Sequence, residues 1–139
     1  METLLHLDTN VLIDLVTVGS PNLDPIRRWL KEGKQFAVSA IVWSEFCNGP
    51  HTGEQKDAVY AVLGRRIADF GVRDAEWASR LFHYTGRRRG SHADCMIAAV
   101  AMNAGVPLAT RNVDDFQRFV PYGLLLRPLP TQNRAHRSA

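Results

Sequence analysis

Short apolar runs alternate along this chain with longer segments whose apolar residues recur at helical spacing. The short runs predict five strands, at residues 4–7, 36–38, 67–72, 108–110 and 124–126. The longer segments predict a helix capped by Asp74 and further helices at residues 10–16, 25–33, 40–48, 54–63 and 93–103. This alternation is typical of an α/β fold built on a parallel sheet.

The length of the chain sets its domain organisation. Its 139 residues are enough for one domain with a substantial core and too few for two. We predict a single domain over residues 1–127 and a disordered basic tail over residues 128–139. No apolar run approaches the roughly 20 residues of a membrane span, and the N-terminus lacks a basic lead-in and a cleavage site. We therefore expect no membrane partner and a cytoplasmic location.

Three of the fourteen carboxylates lie in apolar surroundings. Asp8 ends the first predicted strand, Glu45 lies in the apolar segment 41–46, and Asp94 begins a face that continues with Ile97. An ionised carboxylate is costly to bury without a partner, and Lys and Arg are scarce in all three segments. A divalent cation would offset the charge of all three, since Mg²⁺ and Mn²⁺ prefer oxygen ligands.

The order of the elements places these acids at one edge of the predicted sheet. Asp8 lies at the carboxyl end of a strand, whereas Glu45 and Asp94 lie early in helices that begin at the same edge. The acidic segment 110–116 follows the strand at 108–110. Ligands of open α/β sheets bind beyond the carboxyl ends of the strands, where the strand order reverses. The sequence therefore predicts that four acidic segments converge on one rim.

Each acid also has an explanation that involves no metal. Asp8 could cap the helix that follows it, and Asp94 could close a capping box with Ser91. Glu45 could pair with a distant arginine, and Asp115 could cap a short helix. None of these explanations accounts for four acidic groups at one edge.

Four short motifs, in order along the chain, resemble those of the PIN domain family. They are Leu7-Asp8-Thr9-Asn10, Ser44-Glu45, Asp94-x-x-Ile97-Ala98-Ala99 and Ala109-Thr110-Arg111-Asn112-x-x-Asp115-Phe116. The resemblance spans residues 4–119, and at this length the chain looks most like the toxin of a bacterial VapBC toxin–antitoxin pair. It implies a three-layer α/β/α fold with a central parallel sheet, a Mg²⁺ or Mn²⁺ cofactor, and endoribonuclease activity, often on structured RNA such as tRNA.

The resemblance also assigns roles to residues of this chain. It implies that Asp8, Glu45 and Asp94 are catalytic and bind the metal. The fourth acid of the family falls at the position of Asn112 in some members and about three residues later in others, so we assign it to Asp115. The residues that would support the acids by hydrogen bonds, or stand next in line as the fourth acid, are Thr9, Asn10, Ser44, Thr110, Asn112 and Asp114.

The substrate and partners follow from the same resemblance. Metal-assisted hydrolysis of a phosphodiester is the implied reaction. A net charge of +3 permits an RNA partner without requiring one. Because clustered acids repel phosphates, we predict RNA contacts from nearby arginines, namely Arg87, Arg88, Arg89 and Arg111, with Arg134 and Arg137 of the tail as alternatives. Family toxins are usually dimeric and are inhibited by a small antitoxin, which implies a homodimer and a cognate antitoxin.

Two other function classes remain open at this point. A haloacid-dehalogenase-like phosphatase also begins with a strand that ends in Asp, but it needs a second Asp where this chain has Asn10. It also needs a helical lysine for the phosphate, and none stands out. A catalytically inactive PIN-like module that only binds proteins would carry the same fold.

Overall fold

Five parallel strands form the central sheet of this protein, which a computed structural model describes over residues 3–130. The strands are β1 (Leu4–Leu7), β2 (Gln35–Ser39), β3 (Ile67–Ala68), β4 (Leu108–Thr110) and β5 (Leu126–Pro128). They lie in the order β3-β2-β1-β4-β5, so β1 pairs with both β2 and β4. β2 and β3 therefore extend the sheet on one side of β1, and β4 and β5 extend it on the other. The strand order reverses between β1 and β4.

Helices connect these strands and complete the predicted α/β/α architecture. In the described residues they are α1 (Thr9–Leu15), α2 (Leu23–Lys31), α3 (Ala40–Cys47), α4 (Gly53–Val62), α5 (Val72–Tyr84), α6 (His92–Ala104) and α7 (Val113–Phe116), followed by a 3₁₀ helix (Gln117–Tyr122). The helices of residues 3–130 include none with the length and apolar character needed to cross a membrane.

The core lies around the middle of the sheet. Leu5 and Leu7 of β1 and Phe36 of β2 are almost fully buried, as strands covered on both faces must be. Helix α6 buries a run of mainly small residues, 97–101. Small side chains allow close packing, so α6 lies against the core. The first turn of α6 lies at the edge of the sheet where β1 ends.

The chain between β2 and α5 differs from the prediction. The strand predicted at 67–72 is only Ile67–Ala68, since its partner β2 ends at Ser39, which pairs with Ala68. Helix α5 already begins at Val72, and its N-cap is Gly71 rather than Asp74. Asp74 lies in the first turn, where its carboxylate accepts the Gly71 N–H at 2.9 Å.

The last strand also lies further along the chain than the predicted 124–126. Leu126 pairs with Leu108 and Pro128 with Thr110, while Leu129, 5% exposed, joins the core. The pairing of β4 with β5 continues for one more residue, because the Leu129 N–H donates to the carbonyl of Thr110. The described fold thus continues past residue 127, where we predicted the end of the domain. Of the predicted tail, residues 131–139 lie outside the described residues.

Candidate active site

Asp8, Glu45 and Asp94 line one pocket of about 370 Å³. The pocket lies beyond the carboxyl end of β1, where the strand order reverses. Its other lining residues are Thr9, Asn10, Ile13, Ile97 and Asn112. The structure therefore brings together the three acids that the sequence placed on one rim.

Asp8 is held by neutral hydrogen-bond donors. One carboxylate oxygen accepts the Thr9 N–H at 2.8 Å, which caps α1. The other accepts the Thr110 hydroxyl at 2.7 Å and the Asn10 amide at 3.0 Å. The explanation of Asp8 as a helix cap is therefore correct, but the same carboxylate also lines the pocket.

The environment of Asp8 opposes its ionisation. Burial raises the pKa of Asp8 from 3.8 to about 6, the charges of Asp94 and Glu45 add to this rise, and the hydrogen bonds from Thr110 and Thr9 oppose it. The carboxyl group thus lacks the positive partner that would hold it fully ionised at neutral pH.

Glu45 reaches the pocket from α3, the helix that follows β2. Ser39 caps this helix, because its hydroxyl accepts the Val42 N–H at 3.1 Å. The carboxylate of Glu45 is exposed and accepts a short hydrogen bond from the Thr9 hydroxyl. Thr9 therefore connects Glu45 to Asp8, and the predicted alternative of a distant arginine partner is not the contact that holds Glu45.

Asp94 lies in the first turn of α6, and its side chain is 29% exposed. The capping-box explanation is wrong, since Ser91 makes no side-chain cap and its hydroxyl donates to the Arg88 carbonyl instead. Burial raises the pKa of Asp94, the charge of Asp115 raises it further, and the charge of Arg118 lowers it.

Sequence reasoning missed the apolar Ile13, which lines the pocket, and the charged Arg118, which lies beside Asp94. Nη2 of Arg118 lies 3.6 Å from Oδ2 of Asp94, although Lys and Arg are scarce in the sequence segments that carry the three acids. Arg118 belongs to the 3₁₀ helix, between the buried Phe116 and Phe119. Those two aromatic residues are the only sequence signal that the segment packs against the domain, and they do not reveal which way Arg118 points.

The fourth acidic segment contributes unevenly. Thr110 is buried, donates to Asp8, and accepts the Asn112 N–H at 2.9 Å. Asp115 is not among the pocket-lining residues and pairs with Arg88 at 3.8 Å, yet its charge acts on Asp94. Asp114 and Ser44 are exposed and do not line the pocket.

The arginines that we predicted to contact RNA differ in their exposure and in their partners. Arg111 pairs with the buried Asp14 at 3.7 Å, a carboxylate that accepts hydrogen bonds from Ser20 and Asn22 as well. This pairing directs the guanidinium of Arg111 toward the interior. The loop residues 87–89 are exposed and directly precede α6, so their charges lie beside the turn that carries Asp94.

The donor set of the pocket suits a hard divalent cation with few protein ligands. Within residues 3–130, no three His, Cys, Asp or Glu side chains are gathered closely enough to hold a metal ion by themselves. Mg²⁺, however, commonly takes one or two carboxylates and completes its shell with water. Glu45 and Asn112 of the pocket are exposed, so water has access. Oxygen ligands, repulsion between the acids and access to water therefore fit such an ion.

Comparisons with known proteins identify the family. Residues 5–120 match the PIN domain family, and the chain belongs to it. No curated protein sequence matches the chain significantly.

Solved structures share the fold. A chain of the VapBC complex from Rickettsia felis, bound to a promoter DNA fragment, aligns with a TM-score of 0.68 and 21% identity over 91% of this chain and 98% of its own. A toxin–antitoxin complex from Klebsiella pneumoniae gives 0.67 and 25% over 91% and 98%. A VapC toxin from Mycobacterium tuberculosis, described as cleaving the sarcin–ricin loop, gives 0.61 and 17% over 87% and 96%.

Proposed function

We propose that this protein is a divalent-metal-dependent endoribonuclease and the toxin of a toxin–antitoxin pair. The observation that carries the proposal is that Asp8, Glu45 and Asp94 line one pocket at the point where the strand order reverses. Ligands of open α/β sheets bind at this point. Membership of the PIN domain family and the fold shared with toxin–antitoxin structures support the same function.

The four acids would contribute unequally to binding Mg²⁺ or Mn²⁺. Asp8 and Asp94 would be direct ligands, with Glu45 beside them and Asp115 acting from the rim through its charge on Asp94. Thr110 fixes the carboxylate of Asp8 by its hydrogen bond. A bound divalent cation would supply Lewis-acid chemistry, polarising a phosphate and making a water molecule more acidic.

RNA is the proposed substrate. The exposed arginines of residues 87–89 lie next to the acids in the chain and would offset their repulsion of phosphates. One protein of the same fold is described as cleaving the sarcin–ricin loop, which makes structured RNA, including tRNA, the first class to test.

The test is a cleavage assay with a reversible metal requirement. Purified protein is incubated with end-labelled tRNA and ribosomal RNA fragments in Mg²⁺ or Mn²⁺, then in EDTA, and then with the metal restored. We expect cleavage that EDTA stops and added metal recovers. Asp24→Asn serves as the matched control for Asp8→Asn, because Asp24 is exposed and pairs only with Arg27 in α2.

Two results would contradict the proposal. Cleavage that persists unchanged in EDTA would remove the metal from the mechanism. Turnover of p-nitrophenyl phosphate without any RNA cleavage would favour a phosphatase.

The proposed partners are a small antitoxin and a second copy of the chain. The structures that share the fold include complexes described as toxin–antitoxin, which supports an antitoxin partner. The proposed location of the pair is the cytoplasm. The test is co-expression with a short neighbouring reading frame. Co-purification and loss of RNA cleavage would support the pairing, and active toxin in the presence of that product would contradict it. Sedimentation of the free protein tests the homodimer.

A further inference from the structure

The guanidinium group of Arg118 is buried, and within residues 3–130 no acceptor lies at normal hydrogen-bond distance from it. Its Nε, Nη1 and Nη2 atoms are inaccessible to solvent and have no hydrogen-bond partner among the described residues. Two contacts hold it: the carboxylate of Asp94 at 3.6 Å and the ring of Phe119, whose centroid lies 4.6 Å from Cζ. A buried guanidinium ordinarily uses several of its five N–H donors. Arg118 is thus retained in the fold by charge and stacking.

The charges around Asp94 explain what this guanidinium offsets. Asp115 and Glu45 both act on Asp94 by repulsion, and Arg118 is the cation that opposes them. At the other acid, Asp8, the hydrogen-bond donors are all uncharged. The positive charge of Arg118 is therefore placed at Asp94 rather than at Asp8, next to the position where a divalent cation would bind.

We propose that Arg118 is a built-in counter-cation of the acid cluster. It neutralises Asp94 when no divalent cation is bound and opposes the binding of one, so that it sets the metal affinity of the pocket. This inference rests on the proposed metal-dependent function. Arg118 acts through Asp94 and is a positioning residue rather than a catalytic one.

The direction of the effect separates this role from a purely structural one. A divalent ion beside Asp94 would be repelled by Arg118 and would compete with it for the same carboxylate, so removing the guanidinium charge should tighten metal binding. If Arg118 served only to keep Asp94 and the 3₁₀ helix in place, the same change would loosen the acid and weaken metal binding. The two roles predict shifts of opposite sign.

The experiment measures Mn²⁺ binding by calorimetry and by the EPR signal of the free ion, using the full chain without RNA. Arg118→Met removes the charge and keeps most of the side-chain volume. We expect it to lower the Kd for Mn²⁺ by at least about tenfold, because even at the dielectric constant of water a unit charge a few ångströms from a divalent ion repels it by about that much. Arg118→Lys, which keeps the charge, should stay within about threefold of the wild type. Arg27→Met, a change in an exposed ion pair of α2, should leave the Kd unaltered.

Failure of this inference is distinct from failure of the proposed function. A wild-type protein that binds no Mn²⁺ at millimolar concentration would overturn the proposed function itself. If the wild type binds Mn²⁺ but Arg118→Met binds it equally well or more weakly, Arg118 is not a counter-cation.

A measurement on the unmodified protein covers the case in which Arg118→Met does not fold. The Nε–H resonance of Arg118, which is shielded from solvent, is followed by NMR during titration with Mg²⁺. We expect it to shift with the same midpoint as metal binding. A resonance that stays fixed while Mg²⁺ saturates the pocket would overturn the inference.

Discussion

The two most buried acids of the pocket, Asp8 and Asp94, are held in different ways. Asp8 is 5% exposed and is surrounded by the Thr9 N–H, the Asn10 amide and the Thr110 hydroxyl, all uncharged donors from α1 and β4. Asp94 is less buried and has a cation, Arg118, as its partner. One end of the pocket is therefore fixed by hydrogen bonds that a metal ion need not disturb. The other end is held by a charge that a metal ion can replace.

This difference extends to the surrounding positive charges. Arg118 and Arg88 pair with Asp94 and Asp115, whereas Arg111 pairs with the buried Asp14. The guanidinium groups that lie near the acids are thus on the Asp94 side. An anionic substrate would therefore meet uncharged hydrogen-bond donors around Asp8 and, on the Asp94 side, the exposed Arg88.

The largest expected effect is the loss of RNA cleavage in Asp8→Asn and in Asp94→Asn. Each change keeps the shape of the side chain and removes the charge that would bind the metal. We expect cleavage to fall by at least about a thousandfold, because metal-ion stabilisation of the transition state contributes several kcal/mol. The readout is the initial rate on labelled tRNA in Mg²⁺. Full activity in either variant, with the Asp24→Asn control also active, would remove that residue from the site.

The pH dependence of stability tests the environment of Asp8 without an activity assay. Because the pKa of Asp8 is raised to about 6 in the folded protein, the folded state binds a proton more tightly than the unfolded state. The wild type should therefore lose stability as pH rises from about 4 to about 6, by up to about 3 kcal/mol from this group, and then level off. Asp8→Asn should lack this loss.

Urea unfolding in EDTA across this pH range is the measurement. The free energies of unfolding of the wild type and Asp8→Asn are compared at each pH, so that the contributions of other groups largely cancel. Parallel curves for the two proteins would show that the pKa of Asp8 is not raised in the folded state. Saturating Mg²⁺ should restore wild-type stability above pH 6, since the ion binds the folded pocket.

The sequence predicts the position of a site residue well when neighbouring residues in the chain determine that position, and poorly when distant packing does. Asp8 follows a strand of four residues directly, so the end of the strand alone places it at the rim. Arg118 is 24 residues after Asp94 in the sequence, and only the packing of the 3₁₀ helix brings it there. Element types were mostly predictable for the same reason. The length of β3 was not predictable, because it depends on where its partner β2 ends.

A smaller effect should separate two residues that the family resemblance assigns to the same supporting role. Thr110 donates to Asp8 at 2.7 Å, whereas Ser44 is exposed and outside the pocket. Thr110→Val removes the hydroxyl while keeping the shape, and we expect kcat/KM to fall by about tenfold to a hundredfold, as for residues that orient metal ligands. Ser44→Ala should stay within about twofold of the wild type. Equal losses in both variants would contradict the expectation that Thr110 supports Asp8 and Ser44 does not.

The smallest expected effect concerns the exposed arginines on the Asp94 side of the pocket and the approach of RNA. Arg87, Arg88 and Arg89 are exposed and precede the helix that carries Asp94. Replacing all three with alanine should weaken RNA binding several-fold at moderate salt. The slope of log K against log salt should flatten by up to about 2, because each lost phosphate contact releases roughly 0.7 to 0.9 fewer counterions.

The control for this variant keeps the change in net charge but uses arginines from α2 and α5, which do not directly precede the helix that carries Asp94. Arg27, Arg28 and Arg80 are also exposed, and among the described residues none of them forms an ion pair with Asp94 or Asp115, so their replacement by alanine should reduce affinity less and leave the slope nearly unchanged. Mn²⁺ binding should barely change in either variant, since these arginines are exposed and solvent screens their charges. If both triple variants lose the same affinity and slope, only net charge attracts RNA. If the loop variant keeps the wild-type slope, the phosphates do not approach along the Asp94 side.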